Sequence, residues 1–226
     1  EFLILGGMIA ITLSSFMPIG FAILIAVIVT ALVGALVEIT FIRWLKDPGV
    51  LRLIVITIGI SILMRESMLH IWDEKIRALD HFTGSEISSI NIFGAYISPQ
   101  ALWVLGISAV IVVGLTLFFR FTPVGRAMRA CSANRTAARL CGIKAKWMVT
   151  YSFMIAAGIG ALAGCVISPL AQTQYDMGSP LAIKGFTVAI LGGLGNSIAA
   201  VVAGIIMGLI ESFSMAWISP FLRDTT

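Results

Sequence analysis

Arg120–Lys146 reads RFTPVGRAMRACSANRTAARLCGIKAK. It carries Arg120, Arg126, Arg129, Arg135, Arg139, Lys144 and Lys146, and no acid. Two long apolar runs flank it, Ala101–Phe119 and Trp147–Leu170. Lys and Arg resist translocation, so a basic loop between two membrane spans is expected on the cytoplasmic side. Its Ala-rich composition predicts helix rather than tether. Val124–Cys131 is expected to form one short helix. Asn134 is placed to cap a second, Arg135–Cys141, which Gly142 ends. Ala137 and Ala138 then form a smooth patch beside Arg135 and Arg139. A basic, helical loop with a small-residue patch is expected to be a docking surface, while an interfacial helix held to anionic lipid by its arginines is the simpler alternative.

Working outward, composition excludes a soluble domain. The chain has 226 residues, 59% hydrophobic and 12% charged, with mean hydropathy +1.04. Soluble domains are nearer half apolar and a quarter charged. The net charge of +4 lies in loops flanking spans, so it does not point to nucleic acid. Cys131, Cys141 and Cys165 form no CxxC and are expected to be packing residues.

Phe2–Ser15 is apolar but short for a span. Full spans are expected at Phe21–Leu45 and Leu51–Trp72, joined by the Asp47-Pro48-Gly49 turn. Asp73–Gln100 is slightly acidic and reads as an external loop, with strand character over Ile90–Ile97. Three successive loops therefore agree in sign: 43–52 inside, 73–100 outside, 120–146 inside. The Trp147–Leu170 span is packed with small residues, including the Gly160/Gly164 pair. The last expected span, Ile198–Ile218, repeats this spacing at Gly204/Gly208.

Between them, Ala182–Leu191 is about half a span and runs into Gly192-Gly193-Leu194-Gly195-Asn196-Ser197. A half-helix ending in a glycine break is one reading, and an ordinary surface loop is the other. On the first reading Gly192, Gly193, Gly195 and Asn196 line a pathway. Ile4-Leu5-Gly6-Gly7 weakly echoes Ile190-Leu191-Gly192-Gly193, which adds Gly6 and Gly7 to that set. Three acids fall in apolar runs. Glu38 lies near Arg43 and Glu66 adjoins Arg65, so interfacial ion pairs are expected. Glu211 has no nearby basic residue in sequence and is open to a helix-packing or a pathway role.

The expected fold class is therefore all-α, a polytopic transmembrane helical bundle with a short cytoplasmic helix and a broken or half helix. It is expected to be a single domain over residues 1–226 with about five to six transmembrane segments. Apolar sequence at both ends predicts a piece of a longer chain. No Walker A loop, nucleophile elbow or metal-ligand spacing occurs, so no enzyme activity and no cofactor are expected.

Two longer motifs carry a resemblance. Gly125-Arg-Ala-Met-Arg-Ala-Cys131 with Ala137-Ala138-Arg-Leu-Cys-Gly142-Ile143 is similar to the cytoplasmic loop of the branched-chain amino acid ABC importer permeases. Lys184-Gly-Phe-Thr-Val-Ala-Ile-Leu-Gly-Gly-Leu-Gly195 and Gly204-Ile-Ile-Met-Gly208-Leu-Ile-Glu211 resemble their C-terminal signature, and Glu1-Phe-Leu-Ile-Leu-Gly6 resembles an earlier segment. The resemblance implies an inner-membrane, multi-pass permease. It also implies cytoplasmic ATP-binding subunits, a sister or identical permease, and an extracellular substrate-binding protein. Further spans before Glu1 and after Thr226 belong to the same implication. Arg135, Thr136, Ala137, Ala138, Arg139 and Gly142 would be the ATPase-coupling element, with Thr136 where the family consensus has Glu. Urea and short-amide importers share these motifs. An ion-coupled secondary transporter, using Glu38 or Glu211, is the competing mechanism.

Overall fold

The computed structural model describes residues 1–45, 50–83, 90–92, 95–193 and 197–217. The Asp47-Pro48-Gly49 turn, Gly195 and Asn196 lie outside the described residues. The helices are α1 (Phe2–Ser14), α2 (Ile19–Val37), α3 (Val50–Trp72), α4 (Pro99–Phe121), α5 (Pro123–Ala133), α6 (Arg135–Leu140), α7 (Ala145–Ala171), α8 (Gly178–Leu191) and α9 (Ser197–Trp217). β1 (Ile90–Ile92) and β2 (Ala95–Ile97) pair antiparallel, with Ile90 opposite Ile97, in keeping with the strand character expected over Ile90–Ile97. Among the described residues, four helical stretches are long and apolar enough to cross a membrane: Ile19–Ile42, Leu51–Trp72, Pro99–Phe121 and Ala145–Ala171. Phe2–Ser14, Gly178–Leu191 and Ile198–Ser214 are apolar but shorter. The structure is that of an all-α, polytopic membrane protein.

The chain falls into two compact units, Glu1–Asp176 and Met177–Thr226. In the first, α1, α2 and α7 pack mutually and form the core. Their contacts are made by small residues. On α2, Ala22, Ala26, Thr30 and Gly34 recur every fourth position and are all buried. On α7 the buried set includes Ala157, Ala161 and Gly164. Small side chains let backbones approach where lipid supplies no hydrophobic drive to associate. The approach is closest at Gly164, where a Cβ would overlap the Leu3 carbonyl, and at Gly6, where it would overlap Ala161. Gly160 of the same GxxxG pair has ordinary clearance, 3.5 Å from the Phe2 Cβ.

α7 runs through Pro169 to Ala171. The proline sits in the last turn, where its missing N–H leaves one carbonyl a turn earlier without its helical donor. The chain after α7 is tied to the segment that follows α3. Arg77 and Thr173 exchange two backbone hydrogen bonds, of 3.1 and 2.6 Å. Gln100, fully buried, donates to the Val166 carbonyl at 3.0 Å and accepts from the Phe82 amide at 3.3 Å. In the second unit, α8 packs along α9. Gly204 meets Val188 at 3.5 Å, whereas Gly208 faces open space.

Candidate functional site

The segment that decided the reading folds as two short helices held by side-chain caps. Thr122 Oγ1 accepts from the Gly125 amide at 3.0 Å and Pro123 occupies the first turn of α5. Asn134 Oδ1 accepts from the Ala137 amide at 3.0 Å, as its position before α6 predicts. The far end of α6 is closed by two bonds, Gly142 N–H to the Arg139 carbonyl and Ile143 N–H to the Ala138 carbonyl, both 3.0 Å. This 5→2 and 6→1 pair is a Schellman closure. It requires a left-handed residue, and Gly142 supplies it with φ +80°.

The two alanines of α6 separate. Ala138 is 5% exposed and packs inward, while Ala137 is exposed. The expected smooth patch of both alanines is therefore not on one surface. The outward face is formed by Thr136, Ala137 and Leu140, and Leu140 is 86% exposed. Adjacent positions on a helix lie about 100° apart, which is why the pair splits. Arg135 and Arg139, one turn apart, share a face. Both line a cavity of about 570 Å³, together with Arg43 and Lys146. Ile42, Leu53 and Phe153 contribute its apolar lining.

Glu38 also lines this cavity and anchors its base. It is 2% exposed, so it is buried rather than interfacial. Thr150 donates to Glu38 Oε2 at 2.6 Å, and Arg43 Nη2 donates to Thr150 Oγ1 at 3.1 Å. Arg43 Nε lies 3.8 Å from the same carboxylate oxygen, and its guanidinium stacks over Trp147 at 5.1 Å. The expected Glu38–Arg43 pair thus exists as part of a three-residue network joining α2 to α7. A π turn at Glu38–Ile42 builds it, with the Arg43 amide bonding the Glu38 carbonyl at 2.8 Å. π turns insert an extra residue into a helix and recur at functional sites. Thr150, Trp147 and the π turn are the parts that sequence reasoning missed. A hydroxyl in the second turn of α7 was the only available signal, and nothing local pairs it with a residue 112 positions away.

Glu66 is exposed and makes no ion pair among the described residues, so the expected pairing with Arg65 is not formed. Of the cysteines, Cys165 is buried in the core, Cys131 is partly buried and Cys141 is exposed, which removes Cys141 from the packing residues.

Of the expected pathway residues, Gly6 and Gly7 are buried in the α1–α7 seam. In the second unit, Gly192 lies against the α9 backbone near Ala200, and Gly193 has φ +78° with open space around it. Glu211, with no basic neighbour in sequence, accepts from Lys184 Nζ at 2.7 Å and bridges α9 to α8.

A family model described as branched-chain amino acid transport system / permease component matches residues 1–224. The chain is 30% identical over 198 residues to the high-affinity branched-chain amino acid transport system permease protein BraD of Pseudomonas aeruginosa, covering 83% of this chain and 62% of BraD. It is 28% identical over 204 residues to LivH of Escherichia coli K12, a permease protein of the same description, covering 88% and 66%. A more distant likeness, 22% over 121 residues, is to the ribose import permease protein RbsC of Haemophilus influenzae, covering 50% and 36%. The chain thus spans less than two thirds of the BraD and LivH relatives, 62% and 66% of their lengths. No solved structure matches.

Proposed function

This chain belongs to the branched-chain amino acid transport permease family, and from that premise we propose that it is a membrane subunit of an ATP-driven importer of branched-chain amino acids. ATP is hydrolysed by separate cytoplasmic subunits, since the sequence carries no Walker A loop of its own. A second permease and an extracellular binding protein complete the assembly, by the same family reasoning.

One observation carries the coupling part of this reading. α6 is a six-residue helix, capped at both ends, that joins α5 to the base of the spanning helix α7. A helix so short is marginal alone and gains its order from such caps and packing. It presents Thr136, Ala137 and Leu140 outward. We read that face as the ATPase contact and Arg135 and Arg139 as the face turned to the cavity. Gly6 and Gly7 act in this reading by close helix packing. Gly192 and Gly193 shape the turn after α8.

The deciding experiment is uptake into proteoliposomes holding the permease assembly, its ATPases and its binding protein. ATP-dependent leucine uptake is expected, with none under an ion gradient alone. Uptake driven by the gradient without ATP would overturn the proposal in favour of a secondary transporter. Orientation has its own test in a background lacking native cysteines. Glu74→Cys is expected to react with an impermeant thiol reagent from outside, and Ser132→Cys only from the cytoplasm.

A further inference from the structure

The cavity beneath α6 holds more positive charge than its own chain neutralises. Arg43, Arg135, Arg139 and Lys146 line it, and its single acid among the described residues, Glu38, is already engaged by Thr150 and Arg43. Arg43 Nε is buried without a hydrogen-bond partner among the described residues. The two kinds of lining come from different places in the fold. Arg135 and Arg139 belong to α6, outside the spans. Leu53 and Phe153 belong to α3 and α7, within segments apolar and long enough to cross a bilayer.

A cavity with two arginines supplied from outside the bilayer and apolar side chains supplied from within it matches an amphiphile with an anionic head. Soluble phosphate would satisfy the cations and leave the apolar wall wet. A partner protein's carboxylate approaching α6 from the aqueous side would do the same. Basic pockets between spanning helices favour anionic headgroups, and each cation near the surface adds to the attraction. Arginine suits phosphate especially, since its planar fork donates two parallel bonds.

We propose that this cavity binds one anionic phospholipid. Arg135, Arg139 and Lys146 hold its phosphate, and its acyl chains lie along Leu53 and Phe153. The bound lipid joins α6 to the base of α7 and makes the position of α6 dependent on lipid charge. The inference goes beyond the transport reading and does not depend on it, because lipid binding is read without substrate, ATP or partner subunits.

The test is native mass spectrometry of the full chain in detergent, titrated with phosphatidylglycerol and, separately, with phosphatidylcholine. One phosphatidylglycerol adduct is expected, held roughly tenfold more tightly than phosphatidylcholine. The Arg135→Gln/Arg139→Gln variant is expected to lose about that preference, and Lys146→Gln part of it. Arg129→Gln removes an exposed charge that does not line the cavity, and is expected to leave binding unchanged. Melting curves confirm that each variant is folded, and the single Lys146→Gln variant keeps the test open if the double one is not. Equal binding of both lipids would overturn the proposal, as would equal weakening by Arg129→Gln, which marks diffuse surface attraction. Displacement of the adduct by free glycerol phosphate at lipid-like concentration would assign the site to a soluble anion instead. Unchanged lipid binding in the double variant, with loss of ATPase co-purification, would assign the arginines to a protein partner and equally overturn it.

Discussion

Thr150 donates its hydroxyl to Glu38 Oε2 at 2.6 Å, joining the second turn of α7 to the π turn that ends α2. The carboxylate is almost fully buried, with Arg43 Nε 3.8 Å away as its charge partner. A buried carboxylate deprived of a donor retains its desolvation cost and loses the bond that offsets it.

Thr150→Val keeps the side-chain shape and removes that donor. It is expected to cost about 1–3 kcal/mol, read as a melting temperature several degrees lower in detergent. Thr150→Ser restores the hydroxyl and is expected to recover most of the loss. A valine variant that melts like the parent would mean that Arg43 alone satisfies Glu38.

The glycine pairs separate by position. Gly164→Ala and Gly6→Ala place a methyl group into the facing backbone of α1 and α7. Each is expected to cost at least the roughly 1–3 kcal/mol of core overpacking, seen as poor yield or aggregation on size-exclusion chromatography. Gly208→Ala meets open space and is expected to be silent. If all three variants behaved alike, the close approach of α1 and α7 would be refuted.

The alanines of α6 make opposite predictions. Ala138 is buried against its own chain, so Ala138→Trp is expected to unseat α6 and lower the melting temperature. Ala137→Trp and Leu140→Asp alter only the exposed face. Both are expected to leave melting unchanged while ATPase co-purification falls. Full co-purification with Leu140→Asp would remove this face from the proposed contact.

Lys184 and Glu211 are each about a quarter exposed and lie 2.7 Å apart. If their role is to join α8 to α9, Glu211→Gln is expected to cost about 1 kcal/mol. The exchanged pair Lys184→Glu/Glu211→Lys is then expected to restore both melting and uptake. Restored melting with abolished uptake would give Glu211 a role in the pathway beyond packing.

Much of this was legible because the governing signals are local. Each apolar run stands within a few residues of its helix, and Asn134 and Gly142 sit where α6 begins and ends. Capping, left-handed turns and hydropathy act over one or two turns, so one stretch of sequence contains them. The partners were not legible. Thr150 lies 112 residues from Glu38, and Lys184 lies 27 from Glu211. Their pairing depends on how whole helices face each other, which no local period encodes. The same limit explains Ala137 and Ala138, since composition marks both as small but cannot say which one faces inward.

With the Leu3 carbonyl seated against Gly164 and Ala161 against Gly6, α1 and α7 cannot slip past each other by one residue without driving a side chain into backbone. α2 is fastened to the same pair by its own row of small residues. The three helices are thereby a strut that resists shear, because close-packed interiors transmit displacement instead of absorbing it. α6 is joined to that strut along the chain by the four residues Cys141–Lys144, stiffened by the closure at Gly142, and also packs on α7 directly. A push on α6 is therefore expected to reach the strut with little travel lost along the way.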